Sequence, residues 1–157
     1  MRTKYIDLID QTFDFPQDEF HLREDRLMFH GIDLMRLIEE YGTPLKFTYL
    51  PKISQNINKA KMWFRNSMEK HGYEAKYFYC YCTKSSHFEF ILNEALKNNI
   101  HIETSSAFDI NIVENLMEQG KINKNSFIVC NGFKRDQYVT NIARLINNGH
   151  KNTIPVI

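Results

Sequence analysis

The chain has 157 residues, 43% of them hydrophobic and 25% charged, the size and composition of a protein that can bury a core. Its 20 lysines and arginines balance 19 aspartates and glutamates, leaving a formal charge of +1, so no global field draws it to nucleic acid or to an anionic membrane. A small-molecule partner is the expectation that remains.

The segment from Met1 to Asp10 holds no long apolar run, and no later stretch reaches membrane-spanning length, which predicts a cytoplasmic protein. Residues 20–31 read as one or two extended segments that bend at Glu24 and Asp25. Asp33 can then cap a short helix over residues 34–40, and Gly42 stops it. After Thr43 and Pro44, residues 45–50 alternate as a strand does. A long amphipathic helix follows, with Ile53, Ile57, Ala60, Phe64 and Met68 at spacings of three and four on one inward face. Its other face carries Lys52, Lys59, Lys61, Arg65 and Lys70. That face could attract an anion, but no aromatic residue is interleaved with the charges, so it reads as solvated.

From Ala75 onward strand and helix alternate. Residues 76–83 predict a strand, followed by a helix with Phe88, Ile91, Leu92, Ala95 and Leu96 inward. Residues 100–104 predict the next strand, followed by a helix with Ile110, Val113, Leu116 and Met117 inward. The strand at 127–130 precedes Tyr138, Val139, Ile142, Leu145 and Ile146 at helical spacing, and 153–157 is strand again. Successive βαβ units of this kind build a parallel sheet, either doubly wound or as part of a (β/α)8 barrel. A barrel takes about 250 residues. Because 153–157 reads as a strand with nothing after it, the chain is expected to be the front portion of something longer.

Lys84 is the residue whose placement says most. It ends the aromatic and apolar run 75–83 and precedes Ser85, Ser86 and His87, so it stands at a strand's C-terminal end, where α/β proteins place their chemistry. Alternation puts it on the face of Cys80 and Cys82, away from Tyr79, Tyr81 and Thr83. An amine beside soft, weakly polar groups loses hydration and is more easily deprotonated, which suits a Schiff-base nucleophile. The plainer reading is a lysine that snorkels to solvent. Cys80, Cys82 and Cys130 read as reduced core thiols, because Cys80-Tyr81-Cys82 is too tight for a zinc knuckle without a second ligand pair. The six glycines lack the spacing of a dinucleotide or P-loop cradle, and there is no GxSxG elbow.

Tyr81-Cys82-Thr83-Lys84-Ser85-Ser86 resembles the Tyr-x-x-Lys segment of alanine-racemase-like, fold type III pyridoxal-phosphate enzymes, in which that lysine holds the cofactor as a Schiff base. Ile102 to Ile110, with Glu103 and Ser106, is similar to the acidic-x-x-Ser segment of the next strand. Cys130-Asn131-Gly132-Phe133-Lys134 resembles the Cys-Asn-Gly-aromatic-Lys segment of the biosynthetic arginine decarboxylase branch, and Gly42-Thr43-Pro44-Leu45 resembles that branch's linker from a β domain. The resemblance spans about residues 20–157.

What it implies is an α/β fold, the N-terminal part of a (β/α)8 TIM-like barrel of the alanine-racemase type. Residues 1–44 would be an N-terminal segment contributing to a β domain, and 45–157 an incomplete pyridoxal-phosphate-binding barrel. The implied activity is pyridoxal-5'-phosphate-dependent decarboxylation of L-arginine to agmatine and carbon dioxide in polyamine biosynthesis, by a homodimer or higher homo-oligomer that binds neither nucleic acid nor membrane. Lys84 would be catalytic and cofactor-binding, and Glu103 cofactor-binding, beside the imine. No metal is implied. Glu103 read on its own could instead serve the dipole of the following helix. Ser85, Ser86 and Ser106 read as helix caps, Asn131 and Lys134 as cap or solvent contacts, and His87 as a surface residue. The phosphate clamp and the pyridine-nitrogen partner would come from segments past residue 157. The alternatives are a diaminopimelate or ornithine decarboxylase, a silent cofactor-binding relative, or a non-catalytic α/β interaction module whose Lys84 is structural.

Overall fold

The computed structural model describes residues 19–157. The expected N-terminal segment is therefore seen from Glu19 onward, and its first eighteen positions lie outside the described residues. The chain divides into two units, Met1–Thr48 and Tyr49–Ile157.

In the first unit β1 (Phe20–Arg23), β2 (Arg26–Phe29) and β3 (Ile32–Asp33) form an antiparallel sheet in that order. The bend expected at Glu24 and Asp25 is a two-residue turn with both residues at positive φ, 52° and 62°, the twist that lets antiparallel strands stay paired. Helix α1 (Leu34–Tyr41) starts where Asp33 accepts the Arg36 N–H at 3.1 Å, and the Asp33 carboxylate also takes the Arg26 guanidinium. Gly42, at φ 78°, ends the helix with its N–H on the Ile38 carbonyl at 2.8 Å. The alternating residues 45–50 form no strand. Alternation satisfies the side chains, but a strand also needs a neighbour for its backbone, and none pairs with this one among the described residues.

The second unit opens with α2 (Pro51–Lys70) and then alternates β4 (Cys80–Cys82), α3 (Glu89–Leu96), β5 (His101–Thr104), α4 (Ala107–Glu118), β6 (Ile128–Cys130), α5 (Asp136–Asn147) and β7 (Thr153–Pro155). The four strands are parallel and lie in sequence order, β4-β5-β6-β7. Ile102, Ile128 and Cys130 are buried in one cluster with Leu92 of α3, Ile110, Val113 and Leu116 of α4, and Tyr138, Ile142 and Leu145 of α5. The three crossover helices thus share one face of the sheet. The other face carries Cys80, Cys82, His101, Glu103 and Val129, all half-buried, with Ile154 exposed. Within the core the Thr104 and Tyr138 hydroxyls meet at 2.8 Å, and burial pushes the Tyr138 phenol well up.

Further stretches depart from the expectation, and Phe88, read as inward, is 56% exposed at the residue before α3. Strand pairing begins at Cys80, because its partner β5 begins at His101, so only the end of the run 76–83 is strand. On α2 only Ile57 is fully buried, and Phe64 is 52% exposed, stacked on Tyr77 with centroids 4.3 Å apart. The helix is about 30 Å long and its partner α3 about 12 Å, so the second half of its apolar face runs past α3. The first half is clasped by polar groups: the Ser54 hydroxyl donates to Glu94 at 2.5 Å, the Asn58 amide to Asn98 at 3.0 Å, and the Lys61 amine to the Asn98 and Asn99 carbonyls at 2.5 and 2.9 Å. Lys61, read from sequence as part of a solvated face, caps the chain just past α3, and burial lowers its pKa.

His101 Nδ1 accepts the Phe127 N–H at 3.1 Å, which requires that nitrogen unprotonated. Burial, and then the Lys61 charge, lower its pKa from 6.5; burial lowers that of His150 as well. Below about pH 6.5 the unfolded chain takes up protons that the folded chain excludes, so stability is full above that pH and declines as pH falls toward the folded values. Urea unfolding of the parent and of His101→Asn between about pH 7 and pH 5 should show a shallower decline in the variant. An unchanged slope would remove His101 from the account.

Candidate functional site

The side chains with chemical potential gather at the C-terminal end of the parallel sheet, where successive βα loops meet. Thr83, buried after β4, donates its N–H and its hydroxyl to the Glu103 carbonyl at 3.0 and 3.1 Å. The Ser85 N–H returns to the Cys82 carbonyl at 3.1 Å, and the Tyr81 hydroxyl reaches the Ser86 carbonyl at 3.0 Å. Lys84 is held in this braced turn. It is exposed, in the turn that follows the end of the strand at Cys82, whereas the thiols of Cys80 and Cys82, on whose face alternation placed it, are half-buried. Among the described residues no hydrogen bond or ion pair engages its amine. The Lys134 amine, by contrast, donates to the Gly132 carbonyl at 2.8 Å and lies over the Tyr138 ring.

Glu103 pairs in register with Cys82 on the neighbouring strand. Its Oε1 accepts the Asn131 amide at 3.1 Å and lies 3.6 Å from the Cys82 thiol, which donates to it. Burial, and then the Glu103 charge, push the Cys80 thiol up. The start of α4 is served by other groups: Ser106 Oγ accepts the Asp109 N–H at 3.4 Å, and the Asp109 carboxylate accepts the Ser105 N–H at 2.8 Å and its hydroxyl at 3.2 Å. Ser106 is therefore a helix cap. Ser85 and Ser86 are not, since α3 begins after Phe88 with no side-chain cap. His87 is exposed, with its ring 5.8 Å from that of Phe88.

Thr83, Asp109 and Gly132 take parts that the sequence reading did not give them. The Ser106 to Asp109 spacing is a capping signature that could have been read. Gly132 could not. At φ 80° it lies so close to the preceding loop that a Cβ there would stand 2.3 Å from the Ser105 carbonyl oxygen.

Among the described residues no three histidine, cysteine or acidic side chains converge on a metal position, and the three cysteines are free thiols. No helix among them is long and apolar enough to cross a membrane. No family model matches the chain. It is similar to a biosynthetic arginine decarboxylase of Bacteroides thetaiotaomicron, 26% identical over 117 residues, a distant relationship that covers 69% of this chain. The chain spans 18% of the length of that relative.

An unengaged amine at a strand end, with a carboxylate fixed on the next strand, fits the aldehyde end of a pyridoxal cofactor. The Ser105 N–H at the entry to α4 is taken by the Asp109 carboxylate and is not open to the cofactor's phosphate.

Gly132→Ala should lower stability by roughly 2 kcal/mol, since the added methyl must displace backbone and the φ is unfavourable for any other residue. Chemical denaturation measures it; a variant as stable as the parent would mean that the two loops part without cost.

Proposed function

We propose that the chain supplies the lysine-bearing part of a (β/α)8 barrel in a pyridoxal-phosphate-dependent decarboxylase that converts L-arginine to agmatine and carbon dioxide. The observation that carries this reading is Lys84, an exposed amine without a partner among the described residues, braced at the C-terminal end of a parallel strand. Four parallel strands in sequence order, with their crossover helices on one face, are what an arc of such a barrel contains, and they support the fold. The name of the Bacteroides relative supports the substrate.

When bound, the cofactor supplies the electron sink that lets the bond to a carboxylate break. Lys84 would hold it through its amine, in a position open enough for the α-amine of an amino acid to take that place. Glu103 would put a fixed negative charge on the adjacent strand, favouring a proton on a nitrogen beside it. The Thr83 bonds to the Glu103 carbonyl keep amine and carboxylate from drifting apart, because the turn that presents one is tied to the backbone that presents the other.

Two measurements test the reading. Borohydride trapping of added pyridoxal phosphate, followed by peptide mapping, should place the label on Lys84, and Lys84→Ala should lower decarboxylation by the natural protein at least about a thousandfold without unfolding it. Near-normal turnover in the variant would end the assignment.

Substrate choice is tested separately. A site that pairs a guanidinium leaves polar groups unmet by a shorter amine, so carbon dioxide release from L-arginine should exceed that from L-ornithine, L-lysine or meso-diaminopimelate by roughly two orders of magnitude or more. Preference for diaminopimelate would move the protein to a neighbouring specificity.

A further inference from the structure

We infer that Asn131, locked by Gly132, is the positioning residue for the Glu103 carboxylate. Three contacts fix Asn131. Its N–H extends the β5–β6 ladder to the Thr104 carbonyl at 2.8 Å, and its Oδ1 accepts the Gly132 N–H at 2.8 Å. Its remaining polar group, Nδ2, is thereby aimed across the strand and meets Glu103 Oε1 at 3.1 Å. Gly132 fits this arrangement because it has no Cβ to meet the Ser105 carbonyl, two residues past Glu103, and its own carbonyl accepts the Lys134 amine at 2.8 Å.

The consequence is a division of labour between neighbouring loops. The backbone of Glu103 locates Lys84 through Thr83, while the loop after β6 decides where the carboxylate of Glu103 points. Oε1 accepts both the Asn131 amide and the Cys82 thiol, so the carboxylate is held over Cys82 rather than free to swing into solvent. Asn131 acts through Glu103. Its meaning for catalysis rests on the decarboxylase reading, but the geometry and its first test do not.

The test is a double-mutant cycle read at Cys82, by site-resolved mass spectrometry of iodoacetamide alkylation on the whole chain. The Cys82 thiol is oriented by its bond to the Glu103 carboxylate, so losing that acceptor should free its sulfur for attack and speed alkylation. Glu103→Gln and Asn131→Ala should each raise the Cys82 rate about two- to tenfold, the span expected for one ordinary hydrogen bond. The double variant should be no faster than Glu103→Gln alone, since Asn131 has no route to Cys82 except through Glu103. Asn131→Ser, whose shorter side chain can still receive the Gly132 N–H but cannot reach Glu103, should match Asn131→Ala and serves if the alanine variant does not fold. Multiplicative effects in the double variant, or an unchanged rate in both Asn131 variants, would overturn the inference.

A second arm reads the cofactor. The pH midpoint of the visible absorbance of pyridoxal phosphate bound at Lys84 should move in the same direction in Asn131→Ala and Glu103→Gln, and by no more in the pair. Opposite or additive shifts would overturn the positioning role. Absence of any Lys84 adduct in the parent would sink the decarboxylase reading alone, with the thiol cycle still deciding the part played by Asn131.

Discussion

One main-chain oxygen holds the site together. The Glu103 carbonyl receives both the N–H and the hydroxyl of Thr83, so the residue before Lys84 is fixed twice to the adjacent strand. A valine at that position would keep the shape and lose the hydroxyl, leaving the turn on a single bond. Because Thr83 is wholly buried, that hydroxyl has no access to water and the bond has no competitor. The reach of Lys84 is set from this pair of contacts.

The two faces of the parallel sheet are chemically unlike. Toward the helices the strands present Ile102, Ile128 and Cys130, and the polar atoms among them are paired, as the Thr104 and Tyr138 hydroxyls are. On the opposite face stand two thiols, an imidazole and a carboxylate, none fully buried. A parallel sheet enclosed by helices on both sides would be apolar on both. The contrast reflects a sheet whose crossover helices cover one face and whose Cys80, Cys82, His101 and Glu103 lie on the other.

Much of this was legible in the sequence. Asp33, Gly42 and Ser106 stand where their cap chemistry predicts, and Ile110, Val113 and Leu116 of α4 with Tyr138, Ile142 and Leu145 of α5 meet one continuous core at the spacing read, whereas Val139 and Ile146 of the same run are exposed. Periodicity failed where no neighbour existed to reward it. Residues 45–50 alternate but have no paired backbone among the described residues, and Phe64 lies on the correct face of α2 at a height past α3, where the Tyr77 ring stacks on it and leaves it half exposed. The position of Lys84 at a strand end could be read from the run that it terminates. The bond from Asn131 to Glu103 could not, since it joins residues 28 apart through a loop whose course depends on how closely Gly132 approaches another loop.

The clasp on α2 makes that helix a cantilever. Its root, from Ile53 to Lys61, is tied to α3 and to Asn98 and Asn99 just past it by apolar burial and five polar contacts, whereas the stretch toward Lys70 has the Phe64 and Tyr77 rings as its chief lateral support. A beam held at one end bends most at the other. Amide protons near the root should outlast those near Lys70 by the stability of the clasp, so the helix, although continuous in hydrogen bonding, is two dynamic segments joined near Lys61.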